Sequence, residues 1–77
     1  MSLTPEQCRA ARALLDWTQA DLAEAVGIAS DTIARFEGGV RLPHPSNRAT
    51  IREALEAAGI EFLPETKTKG VGVRLRK

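Results

Sequence analysis

The sequence predicts a mainly α fold, four short helices followed by a C-terminal two-stranded β-hairpin. Three observations carry that expectation. From Cys8 to Ala58, apolar residues recur at three- and four-residue spacing, the period of helices that bury one face. Helix-capping residues bracket those runs, with Thr4, Thr18 and Ser30 at starts and Gly27, Gly38 and Gly59 at stops. Beyond Gly59 the period shortens to two, as in half-buried strands.

Thr4-Pro5-Glu6-Gln7 is a capping box with proline at the first helical position, where its missing amide costs nothing. Cys8, Ala11 and Leu15 then form the inward stripe of the first helix, with Leu14 beside it, and Asp16 ends it. Trp17 precedes the Thr18 cap and can pack on Leu22 as a hydrophobic staple, a simpler role than a binding hot spot. The second helix buries Leu22, Ala23 and Val26. It stops at Gly27, which takes a positive φ without a Cβ clash. Ile28 plugs the corner. The third helix, capped by Ser30, buries Ile33 and Phe36 and stops at Glu37-Gly38-Gly39. Two helices joined this way form a helix-turn-helix, and the outer face of the second stays free to enter a groove.

Val40 to Pro45 reads as a stiff, extended connector, because Pro43 and Pro45 fix their φ angles. The fourth helix is expected from about Arg48, capped by Ser46 or Asn47, to Ala58. It aligns Ile51, Leu55 and Ala58, and Gly59 closes it. Ile60–Leu63 and Val71–Arg76 then read as strands, with Pro64 to Gly70 as their loop. A lone hairpin is marginal in water and leaves open edges. Phe62, Val71, Val73 and Leu75 must therefore pack on the helices, pair with another chain, or both. Pairing with a second copy would give a four-stranded sheet and a two-fold dimer with those four residues at its interface. Residues 1–59 thus read as one helical domain, with the helix-turn-helix inside it, and 60–77 as an extension expected to be the dimerisation element.

Seventy-seven residues allow one small domain. Such a domain buries only about 60% of its unfolded surface, which leaves little material for a catalytic cleft. One cysteine and one histidine make no metal cluster, and no cofactor motif is visible. His44 has no Ser, Cys or carboxylate at motif spacing, and Gly38-Gly39 follows a helix rather than opening one, so nothing points to an enzyme. Cys8 reads as a buried, reduced thiol, which fits the cytoplasm. No stretch approaches the ~20 apolar residues of a membrane span, and no signal peptide is visible. The opening Met-Ser-Leu carries no structural expectation. The net charge of +1 hides an asymmetry: residues 1–40 carry −3 and residues 41–77 carry +4. Lys67, Lys69, Arg74, Arg76 and Lys77 suit an anionic partner or a solvated tail equally well.

The stretch WTQADLAEAVGIASDTIARFEGG closely resembles the phage-repressor-like helix-turn-helix family, the XRE/Cro class. The resemblance rests on Thr18-Gln19, Leu22-Ala23, the turn Gly27, Ile33 and Glu37-Gly38, and covers roughly residues 4–59. It implies a lambda-repressor-like four-helix domain that binds double-stranded DNA, usually as a homodimer on a near-palindromic operator. Residue by residue, it implies that Gln19 contacts phosphate and braces the recognition helix. Ser30, Asp31 and Arg35 match positions that reach base edges, and Thr32 matches one nearer the backbone. Arg12 and Glu37 match a partly buried ion pair tying the first helix to the end of the third. The hairpin resembles the extension of some small bacterial members.

Side-chain chemistry sharpens these roles. Arg35 can meet guanine O6 and N7 with two hydrogen bonds, or instead pair with Asp31 one turn earlier. Asp31 can accept from a cytosine amino group, or serve as a first-turn acid favoured by the helix dipole. Thr18, Gln19, Thr32 and Arg41 are expected at phosphates, with His44 and Arg48 the only further basic candidates beside the connector. Two functions fit. One is a transcriptional regulator, most simply a repressor. The other is an antitoxin-like module that engages a protein partner through the C-terminal strand edge.

Overall fold

The computed structural model describes residues 3–76; Met1 and Ser2 of the opening tripeptide, and Lys77 of the basic tail, lie outside the described residues. Four helices precede the hairpin: α1 (Pro5–Leu15), α2 (Gln19–Val26), α3 (Ser30–Glu37) and α4 (Pro45–Ala57). Strands β1 (Ile60–Leu63) and β2 (Gly72–Leu75) then pair antiparallel, Ile60 opposite Leu75 and Phe62 opposite Val73. The expected fold class is the observed one.

Local chemistry explains most helix ends. Thr4 and Gln7 exchange side-chain and backbone hydrogen bonds of 3.0 and 3.1 Å, closing a capping box. Thr18 and Asp21 do the same at 3.0 and 2.9 Å. Asp16 ends α1 in the left-handed region at φ 58°, and Gly27 ends α2 at φ 71°. Two starts differ from expectation. Ala29, not Ser30, is the N-cap of α3, and Ser30 is already helical. Helix α4 begins at Pro45 rather than near Arg48, because His44 caps it: Nδ1 accepts the Ser46 amide at 3.1 Å. Pro45 fits the first helical position, where no amide is required. The connector is correspondingly shorter.

One core joins all the elements. It holds Leu3, Cys8, Ala11, Leu22, Ala23, Ile33, Phe36, Ile51, Leu55, Ile60 and Phe62, with Leu15, Trp17, Val26, Ile28 and Val73 packed against it. The buried stripes of α1, α2 and α3 thus fall where their spacing put them. Three placements correct the expectations. Leu3, set aside with its neighbours, is buried in this core. Leu14 turns outward and is exposed. Phe62, assigned to a dimer interface, is buried against the chain's own helices, and its ring also lies 4.7 Å from the guanidinium of Arg52. Only Val71, Val73 and Leu75 of that group keep surface to offer. The hairpin is anchored from α1 as well, where buried Gln7 donates to the carbonyl of Gly72 at 3.1 Å.

Candidate nucleic-acid interface

Helix α3 has two unlike faces. Ile33 and Phe36 point into the core and are fully buried, which locks the rotation of the helix. The opposite side carries Ser30, Asp31 and Arg35, all exposed, with Ala34 and Thr32 half-buried beside them. Ala34 was not singled out from the sequence, yet its i+3 and i+4 relation to Asp31 and Ser30 puts it on this face. Its methyl group is a surface of the kind that meets a thymine methyl.

Asp31 and Arg35 form an ion pair across one helical turn, with Nε of Arg35 3.0 Å from Oδ2 of Asp31. Of the alternatives open for each residue, this is the local one. Both side chains are more than half exposed, so the pair adds little stability.

A groove runs beside this face. Asp31, Thr32 and Arg35 form one wall; Arg41, Leu42, Pro43, His44 and Asn47 form the other. Asn47 joins the site because α4 starts early and brings its first turn alongside α3. The misplaced start of that helix hid this residue at the sequence level. Arg41 is exposed at the groove. Arg48 is half-buried, with its Nε donating to the carbonyl of Pro43 at 3.3 Å. Leu42 is 64% exposed at this wall, and Val40, just before it in the chain, is 77% exposed.

Behind the face sits a buried polar cluster centred on Glu37, which is 2% exposed. Arg12 meets it through two hydrogen bonds of 2.7 Å, one to each carboxylate oxygen. Nε2 of Gln19 donates to Oε1 at 3.1 Å, and the Cys8 thiol donates to Oε2 at 3.1 Å. Arg9 donates to the Glu37 backbone carbonyl, and Arg12 also donates to that of Trp17 at 2.9 Å. Burial pushes the Glu37 carboxyl up, but the hydrogen bonds from Arg12, Cys8 and Gln19 outweigh it and hold the group below its usual range. Burial, joined by the Glu37 carboxylate, pushes the Cys8 thiol well above its ordinary value, so it is inert. The cluster fastens α1 and the start of α2 to the end of α3. The Gln19 amide has a second hydrogen beyond the one given to Glu37. Thr18 is exposed at the same helix start.

Comparison with known proteins agrees with this geometry. The family model HTH_3, described as helix-turn-helix, matches residues 9–58, from α1 to the end of α4. No curated protein matches the chain. Among the described residues, no helix is long and apolar enough to cross a membrane.

Proposed function

The chain belongs to the XRE-type, lambda repressor-like helix-turn-helix family, whose members are DNA-binding transcription regulators rather than enzymes, and on that premise we propose how it selects and holds its site. Helix α3 enters the major groove of double-stranded DNA, and Arg35 reads guanine through its two terminal nitrogens. Asp31 contributes mainly by holding Nε of Arg35, which biases the direction of its fork. Ser30 adds a weaker base contact. Thr18, the second Gln19 hydrogen, Thr32 and Arg41 hold phosphates on either side and set the register. The observation that carries this proposal is the uncovered outer face of α3, rigidly backed by Ile33, Phe36 and the Glu37 cluster.

We propose further that the protein acts as a homodimer on a near-palindromic operator, as a repressor in the cytoplasm. Few cationic groups line the interface of one copy, so a single protomer would bind weakly. Linking two copies raises the effective concentration of the second greatly. Recognition helices would then sit about 34 Å apart, one turn of DNA. Selection of bound duplexes from a random pool tests this. The expected product is a pair of inverted half-sites, each with a guanine that loses its preference when Arg35→Ala is used for selection. A pool that never converges on a sequence would contradict the proposal.

A further inference from the structure

The hairpin leaves one edge of β2 unpaired, and its sequence is complementary to itself. The Arg76 amide donates to the carbonyl of Gly59. In the observed register, that makes Glu61 with Arg74, and Leu63 with Gly72, the pairs whose backbone groups face each other. The backbone groups of Val73 and Leu75 therefore point away from β1, and Val71 directly precedes the strand. Among the described residues, no turn, loop or side-chain hydrogen bond reaches them. Val71 and Leu75 are exposed, and Val73 is half-buried. An open edge of this kind is a template for another strand.

Resting on the homodimer proposed above, we infer that this edge pairs antiparallel with β2 of a second copy, in the register centred on Val73. The stretch Gly70-Val71-Gly72-Val73-Arg74-Leu75-Arg76 selects that register. Reversed about Val73, it sets Val73 against the partner's Val73 and Val71 against the partner's Leu75. Arg74 faces the partner's Gly72, and Arg76 faces the partner's Gly70. Apolar side chains meet apolar ones, and each arginine meets a glycine that leaves room for it and carries no charge. Neighbouring registers lose this match. Centring on Arg74 sets that residue against itself, and centring on Leu75 sets Arg74 against the partner's Arg76. Centring on Val71 or Gly72 sets Leu75 against the partner's Lys67 or Lys69. The self-match makes a second copy of this chain the occupant. The product is a four-stranded sheet with β2 strands at its centre.

Sedimentation of the full chain tests the pairing with substitutions at Gly72 and Val73. A Cβ at Gly72 would meet only the Leu63 side chain, at 3.7 and 3.9 Å, which is ordinary contact. Gly72→Glu creates a cross-strand ion pair with Arg74 twice per dimer and should tighten dimerisation about 2- to 30-fold; Gly72→Lys should weaken it similarly. Val73→Pro deletes a donor that points outward, not toward β1, so it should abolish the dimer while the helical circular dichroism persists. A wild-type chain that stays monomeric at every concentration ends the homodimer reading and this inference with it. A wild-type dimer weakened equally by Gly72→Glu and Gly72→Lys overturns the register. A dimer indifferent to both overturns strand pairing and leaves a homodimer through some other surface. Should Val73→Pro fail to fold, the two Gly72 variants still decide.

Discussion

At Glu37 a nearly inaccessible carboxylate accepts from a guanidinium, a thiol and an amide at once. Removing the guanidinium leaves that charge buried and short of its main partner. Arg12→Ala should therefore cost about 3–5 kcal/mol, a large share of the roughly 5–15 kcal/mol that domains possess, measured by urea denaturation. A loss under about 1 kcal/mol would show the pair to be dispensable. The same residue gives the fold an acid sensitivity. Its folded proton affinity lies below the unfolded one, so its stabilising share is complete above the unfolded value, about 4.3, and is lost as pH falls through the folded value. Thermal unfolding followed from about pH 6 to about pH 3 should show that loss, and Glu37→Gln should flatten it. An unchanged acid limb in the variant would assign the sensitivity elsewhere. Arg74 holds Glu61 low as well, but that pair is exposed and weak. The pairing of Arg12 with Glu37 was available from the family resemblance. So was a bracing role for Gln19, which the structure routes through Glu37; the part of Cys8 as a further donor was not, because it depends on how the helices converge.

Single elements show why some boundaries were legible. The boxes at Thr4 and Thr18 are local, with both partners within four residues, so the sequence displays them directly. The start of α4 was obscured because Pro45 looked like part of a rigid connector. Proline at a first helical position, after a side chain able to accept an amide, was the signal for the true start. Ser30 misled for the opposite reason: it is a good cap by type, but the turn after Gly27 delivers Ala29 to the cap position. At the end of α1, Asp16 occupies the left-handed region at φ 58°. Such a backbone costs a non-glycine residue about 1–2 kcal/mol, while glycine gives back about 0.5–1 kcal/mol through unfolded-chain entropy. Asp16→Gly should therefore raise stability by up to about 1 kcal/mol. Calorimetry showing a lower melting temperature would mean that Asp16 makes compensating interactions.

Across the whole molecule, periodicity identified the stripes of the core but not its extent. Leu3 joins it, and Gln7 reaches the hairpin, through contacts between distant parts of the chain that no local pattern encodes. The bare face of α3 was legible, since Ile33 and Phe36 fix which side remains; the groove wall holding Asn47 was not. The charge layout carries its own expectation. Phosphate contacts release counterions, so Arg41→Ala should weaken binding similarly for all sequences and lower the salt-dependence slope by about one. An altered base preference in that variant would move Arg41 to the base edges. The central claim is that the exposed side of α3 reads sequence through Arg35. Its most direct measurement is the affinity ratio between the selected operator and a scrambled duplex, at one salt concentration, for wild type and Arg35→Ala. The account predicts that Arg35→Ala keeps its fold and its weak general affinity, while the ratio falls by about 1–3 kcal/mol per half-site. A ratio unchanged by the substitution would contradict it.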